Sequence, residues 1–288
     1  MTSAQPQTLV SPANGNLLVT GASTGIGQAC ALHFAQLGYR VFAGVRKPAD
    51  AEALEAQAPG NIKALLLDVT CPERIASAVT EVGDAPLAGL INNAGIAVVG
   101  PIELVPIEAW RRQFEVNVLG LVAVTQAFLP HLRRGPGRIV NIGSIAGRCA
   151  APCSAPYDAS KFAVEAITDA LRMELHAWGI AVSVVEPGSV ATPIWDKSLQ
   201  ETEDLCRRTE PDRYALYQGL MAKVRKMIAE SARKAISTEA VVKAVEHALR
   251  AKKPKTRYPI GQDALLFLLL NRLPDRLRDR LILGEINR

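Results

Sequence analysis

Leu17-Leu18-Val19-Thr20-Gly21-Ala22-Ser23-Thr24-Gly25-Ile26-Gly27 decides how the rest of the chain is read. An apolar run ends in a glycine turn, and a helical pattern follows from Gln28 to Leu37. Strand, glycine turn and helix in this order open a dinucleotide-binding βαβ unit. Glycine lets the backbone approach a pyrophosphate, and the helix N-terminus offers unpaired N–H donors and the positive end of its dipole. The spacing, Gly-x-x-x-Gly-x-Gly, departs from the Gly-x-Gly-x-x-Gly fingerprint, so on its own the turn also fits a flexible loop.

Outward from this turn the pattern repeats. Apolar strand-like runs occur at 16–20, 40–45, 62–67, 88–92, 137–143, 180–186 and 257–260, with helical patterns between them that include 26–37, 72–82, 107–133 and 155–178. Continuous rather than alternating apolar strands imply burial on both faces, as in a parallel sheet covered by helices. The expected fold is α/β: a doubly wound parallel sheet of Rossmann type, flanked by helices, with the ligand at the C-terminal ends of the strands. Asn92, Ser144 and Pro187 all follow such strand ends.

Tyr157-Asp158-Ala159-Ser160-Lys161 carries the chemistry. Four residues apart in a helix, Tyr157 and Lys161 share a face. An ammonium at ~4 Å, with an effective dielectric of ~20, stabilises a phenolate by about 4 kcal/mol, or roughly three pKa units. The spacing therefore predicts a tyrosine able to exchange a proton near neutral pH. Upstream, Leu90-Ile91-Asn92-Asn93-Ala94-Gly95 is a strand ending in two amides, which can tie loops together and hold a ribose. Asn117 interrupts the apolar helical stretch Phe114 to Gly120, where asparagine competes for backbone hydrogen bonds; a local kink is the plain alternative. Arg138-Ile139-Val140-Asn141-Ile142-Gly143-Ser144 is a buried strand ending at Ser144.

Glycine turn, Asn92-Asn93-Ala94-Gly95, Asn117, Ser144, Tyr157, Lys161 and Pro187-Gly188, in that order, resemble the short-chain dehydrogenase/reductase family over roughly residues 14 to 261. The resemblance implies that Tyr157 passes a proton to or from the reacting oxygen while Ser144 hydrogen-bonds it. It further implies that Lys161 lowers the tyrosine pKa and holds the nicotinamide ribose, and that Asn117 positions a water relaying protons to Lys161. Gly21, Ser23, Thr24, Gly25, Ile26 and Gly27 would contact the cofactor, as would Asn93, Ala94, Gly95 and Val190. By the same resemblance Asp68, beside Val69, meets the adenine, Pro187 and Gly188 shape the nicotinamide pocket, and Thr192 holds the carboxamide.

An NAD-specific site has an acidic residue about 20 positions past the turn. Here Val45 stands in that place and Arg46 follows. A guanidinium suits a 2′-phosphate, so NADP(H) is favoured and NAD(H) remains possible. Arg46 as a solvated loop residue is the alternative. Many NADP-preferring relatives have a basic residue where Thr24 stands.

The chain has 288 residues, 49% apolar and 21% charged, with a formal charge of +5. No linker divides it, so one domain is expected at 15–261, after a loose tail at 1–14 and before a C-terminal helical extension at 262–288. No apolar run reaches the ~20 residues of a membrane span, no targeting segment is evident, and the dispersed charge forms no nucleic-acid surface. Five cysteines without a C-x-x-C pattern suit reduced thiols in a cytoplasm, and no histidine cluster suggests a metal.

The segment 189–237 is long, with the stripe Tyr214, Tyr217, Met221, Val224 and Ile228 from Pro211 onward. Core packing accounts for part of it; the resemblance adds a substrate lid starting near Thr192 and Trp195. Leu265 to Leu270 and the arginines after it allow a membrane-surface helix, with packing against the lid or a partner subunit preferred. The resemblance points to the branch acting on small lipophilic alcohols and carbonyls, steroid- or retinoid-like. A general carbonyl or 3-oxoacyl reductase is the runner-up, and a cofactor-binding regulator without turnover is the alternative of another class. A homodimer or homotetramer is expected, pairing the helices at 107–133 and 155–178 across a two-fold axis.

Overall fold

The computed structural model describes residues 15–135, 137–192 and 211–286. Seven parallel strands form one sheet: β1 (Asn16–Val19), β2 (Arg40–Val45), β3 (Ile62–Leu66), β4 (Gly89–Asn92), β5 (Arg138–Ile142), β6 (Ala181–Pro187) and β7 (Arg257–Ile260). Their spatial order is β3-β2-β1-β4-β5-β6-β7, the doubly wound arrangement. The order reverses between β1 and β4, which opens a crevice at the strands' C-terminal ends.

Side-chain parity builds two cores. Leu17 and Val19 face one side of the sheet and Leu18 the other, because successive strand residues alternate. The first core packs under α1 (Gly25–Gln36) and α8 (Thr238–Arg250), through Cys30, Phe34, Val241, Val245 and Leu249. The second packs under α3 (Pro72–Val82) and α5 (Gly120–Arg134), through Ile75, Val82, Val124, Phe128 and Leu132. A strand buried on both faces needs apolar side chains at every position, which is why these strands read as continuous runs.

The remaining helices are α2 (Pro48–Gln57), α4 (Ile107–Phe114), α6 (Ala155–Glu174), α7 (Pro211–Arg233), α9 (Gln262–Leu270) and α10 (Asp275–Ile286). The stretch expected as one helix at 107–133 widens into a π turn at Glu115–Leu119, between α4 and α5. The pattern at 155–178 tightens into a 3₁₀ turn at Leu175–Trp178. Among the described residues one helical stretch, Ile107–Arg134, is long and apolar enough to cross a membrane, although no run of ~20 apolar residues was expected. Half of its most apolar window is buried in the domain, the condition of a core helix.

On α7, Tyr214 packs with Leu104, while Met221 and Val224 pack with Cys153. The stripe is thus spent on packing in the described part of the segment. The tail at 1–14 and residues 193–210 of the expected lid, Trp195 and Cys206 among them, lie outside the described residues.

Candidate active site

A cavity of about 340 Å³ opens at the crevice. It is lined by Gly21, Ser23, Thr24, Gly25 and Ile26 from the first turn, and by Arg46, Asp68 and Val69 from the ends of β2 and β3. Asn93, Ala94 and Gly95 follow β4; Ser144, Tyr157 and Lys161 come from β5 and α6; Pro187, Gly188, Val190 and Thr192 follow β6. Of the expected site residues only Gly27 and Asn117 stand behind the wall. Sequence reasoning gave no site role to Gly44, Leu67, Ile96, Ala97, Val98, Arg112, Val116, Ile142 and Gly143, which also line it. Most follow strand ends, while Arg112 lies on α4 and Val116 in the turn after it, and they are visible only once the sheet order is known.

The glycine turn is built to bring backbone close to a ligand. Gly21 and Gly25 hold φ of +64° and +59°, the left-handed region that glycine enters freely. A Cβ at Gly27 would overlap Gly21 O and Asn93 Nδ2, so this glycine seats helix α1 against the turn. Asn93 Nδ2 donates to Thr20 O and Gly21 O at 3.0 Å each, and the backbone N–H groups of Asn93 and Ala94 donate to Thr20 Oγ1. Asn93 therefore ties two loops, whereas Asn92, the last residue of β4, donates to Thr125 and Asn141. Thr24 precedes α1 without a capping side-chain hydrogen bond, and no acidic residue occupies the first turn. Uncapped N–H donors at a helix start that lines a cavity fit a diphosphate.

Arg46 is exposed at the rim and Val45 buried at the end of β2. Asp68 lies partly desolvated, which favours its neutral form. Hydrogen bonds from Thr70 (2.9 Å from N, 2.7 Å from Oγ1) and the positive charge of Arg46 outweigh that and hold its pKa below the ordinary value.

Asn117 sits in the π turn, where the helix widens as the kink reading implied. Its Oδ1 accepts from Ile96 N at 2.9 Å, and its Nδ2 donates to Ile96 O (3.0 Å) and Ser160 Oγ (3.1 Å). The side chain fastens the loop after β4 to α6. Gln113 repeats the device one turn earlier, bonding Val98 N, Ile96 O and Ser160 Oγ. Nothing in sequence marked Gln113, although it is fully buried.

Ser144 caps the 3₁₀ turn Ile145–Gly147 by accepting from Ala146 N at 3.1 Å, and it hydrogen-bonds Tyr157. Lys161 Nζ donates to Ile142 O at 2.8 Å and lies 5.7 Å from the centroid of the Tyr157 ring. The tyrosine shift runs opposite to the one that the spacing predicts. Burial pushes the Tyr157 phenol up to about 12, against the lowering effect of Ser144, and the Asp158 charge adds to the rise. Burial likewise pushes Lys161 down to about 8, with Glu165 opposing. Both groups lose more solvation than their neighbours return, because each is nearly enclosed.

A profile of the short chain dehydrogenase family matches residues 16–203. The chain belongs to the short-chain dehydrogenase family. It is 37% identical over 281 residues to an NADPH-dependent 3-dehydrocapnine reductase of Ornithobacterium rhinotracheale, covering 94% of this chain and 97% of that one. It is 38% identical over 280 residues to human retinol dehydrogenase 5, covering 93% and 88%. A short chain dehydrogenase from Burkholderia cenocepacia, crystallised with NADP, superposes with a TM-score of 0.71 at 27% identity, over 94% of this chain and 98% of that one. The chain is an NAD(P)-dependent oxidoreductase acting between alcohol and carbonyl.

Proposed function

We propose that this dehydrogenase works with NADP(H) in preference to NAD(H) and interconverts a lipophilic alcohol, steroid- or retinoid-like, with its carbonyl. The observation that carries the reading is the convergence of Ser144, Tyr157 and Lys161 on the wall of the same cavity that the glycine turn opens. A bound nicotinamide supplies hydride transfer there. The chain's own residues manage protons and orientation. Tyr157, a protonated phenol at neutral pH, donates its proton to the carbonyl oxygen in reduction and takes it back in oxidation. Ser144 donates a hydrogen bond to that oxygen as charge develops. Lys161 has one hydrogen bond among the described residues, to Ile142 O, and its other N–H donors serve the ribose. Asn117 holds the α5–α6 side of the site and, through the π turn, positions the water that resupplies protons.

Arg46 beside Asp68 supports the cofactor preference, as do the NADPH-dependent reductase relative and the NADP complex of the structural neighbour. The lipophilic substrate is supported by the apolar Ala97, Val98 and Val116 on the cavity wall and by the retinol dehydrogenase relative. One catalytic domain at 15–261, a covering segment at 189–237, a cytoplasmic location and a two-fold assembly complete the reading. The test is a panel of retinoids, steroids, simple ketones and 3-oxoacyl thioesters, each assayed with NADPH and NADH. Turnover confined to thioesters would replace the substrate class. Tight cofactor binding with no turnover on any member would leave a regulator.

A further inference from the structure

Behind the cavity wall lies a group of charges that the reaction scheme above does not use. Glu165 follows Lys161 by four residues on α6 and is buried, with 7% exposure. Its carboxyl backs onto the wall: a Cβ at Gly143 would lie 3.5 Å from Glu165 Oε1, and one at Gly147 would lie 3.2 Å from its Cγ. Gly143 lines the cavity directly after Ile142, the residue that accepts from Lys161. Ammonium and carboxyl thus approach the same turn of β5.

The groups facing Glu165 come from every side. From β6, Glu186 (1% exposed) is in side-chain hydrogen-bond contact with it. From β7, Arg257 Nε donates to Glu165 Oε2 at 3.0 Å, lies 3.9 Å from Glu186 Oε1, and sends Nη2 to Asp169 at 2.7 Å. After the 3₁₀ turn, Arg148 Nη1 meets Glu186 Oε1 at 3.0 Å. Among the described residues, Glu165 Oε1 finds no N–H or O–H donor. Two carboxyl groups in hydrogen-bond contact can share one proton, so the pair holds either one negative charge or two.

We propose that Glu165, through its carboxyl pair with Glu186, is a positioning residue that keeps Lys161 in its ammonium form and so sets the upper pH limit of cofactor binding and turnover. The inference rests on Lys161 holding the ribose, as proposed above. Burial alone drives Lys161 toward neutrality, to about 8, and Glu165 is the charge that opposes this. Burial and the Glu186 charge hold the Glu165 acid up, at about 7, so Glu165 gives up its proton as pH rises through neutrality. The second negative charge then arrives in the pH range where the ammonium needs it.

The experiment measures NADPH affinity by fluorescence titration, and kcat/KM beside it, from pH 6 to 10. Glu165→Gln keeps shape and removes charge, and its alkaline limb should fall by about one pH unit, a tenfold change in ammonium fraction. Glu165→Asp should shift it less in the same direction, and it decides the matter if Glu165→Gln does not fold. Asp169→Asn, which also loosens Arg257 but sits farther along α6, should lower thermal stability and leave the limb in place. Limbs of both Glu165 variants coincident with the parent, even with lowered stability, would overturn the proposal. Lys161→Ala distinguishes the failures: unchanged NADPH affinity in that variant sinks the ribose assignment, not the role of Glu165.

Discussion

Asp263, at the start of α9, accepts a 2.6 Å hydrogen bond from the backbone N–H of Ser189, 74 residues earlier at the end of β6. Its other oxygen accepts from Ala264 N at 2.9 Å, so the carboxylate cannot swing aside without losing a bond. Gly188, which lines the cavity, sits against this carboxylate so closely that a Cβ there would overlap it. Gly188→Ala should therefore cost about 1–3 kcal/mol of stability by overpacking and weaken cofactor binding. Thermal melts and cofactor titration check this; an alanine variant as stable as the parent would show that Asp263 yields freely.

Tyr157→Phe should abolish turnover, by a factor of ~10² or more, and leave cofactor affinity nearly intact, because the ring packs as before while the exchangeable proton is gone. Activity within tenfold of the parent would sink the assignment. Lys161→Ala should damage both turnover and affinity.

The cofactor preference turns on Val45 and Arg46. A 2′-phosphate paired with an exposed guanidinium gains a charge-assisted hydrogen bond at the low end of about 1.5–3 kcal/mol, roughly tenfold in affinity. Arg46→Ala should weaken NADPH far more than NADH. Val45→Asp should go further, repelling the phosphate and accepting from a free 2′-hydroxyl. Equal loss for the two cofactors would return Arg46 to the status of a solvated loop residue.

Lys161 also makes stability depend on pH. Its folded pKa, about 8, is below the unfolded 10.5, so below pH 8 the fold carries the full cost of a buried ammonium, about 3 kcal/mol. As pH rises from 8 toward 10.5 the folded state sheds that proton first and the cost fades. Lys161→Met should consequently melt higher than the parent, with the gap widest below pH 8 and closed by about pH 10.5. A gap that stays constant over this range would mean Lys161 is not desolvated.

Phe162 and Met173, eleven residues apart on α6, are 45% and 64% exposed, a spacing that puts them on one helix face. If this face meets its copy in the two-fold assembly proposed above, Phe162→Asp should reduce the mass seen by light scattering to that of a monomer while the melting temperature stays near the parent's. A parent that is already monomeric at working concentration removes the assembly.

The fold was legible because burial on both faces forces continuous apolar strands, and the seven runs fall within a residue or two of the strands found. Tyr157, Lys161, Ser144 and Asn93 were legible because each belongs to a local pattern. Glu165, Glu186, Arg257, Gln113 and Asp263 were not. On a one-dimensional pattern Glu165 is an ordinary helix carboxylate; only the β6–β7 pairing, with Glu186 opposite Pro259 and Arg257 opposite Val184, brings it two partners. The tyrosine's shift was misjudged for a related reason: helical spacing reports who is near, whereas enclosure by the sheet and loops decides how much water is lost.

The sheet order also has a consequence for biosynthesis. Strand β6 is nearly all buried, and its outer edge is covered by β7, which begins 70 residues after β6 ends, Pro187 to Arg257. At ~5–20 residues per second, a ribosome leaves that apolar edge bare for about 4–14 seconds, long enough for an unpaired strand to find a wrong neighbour. The nascent chain carries that bare edge after its catalytic residues have been made, while α7 and α8 are being translated.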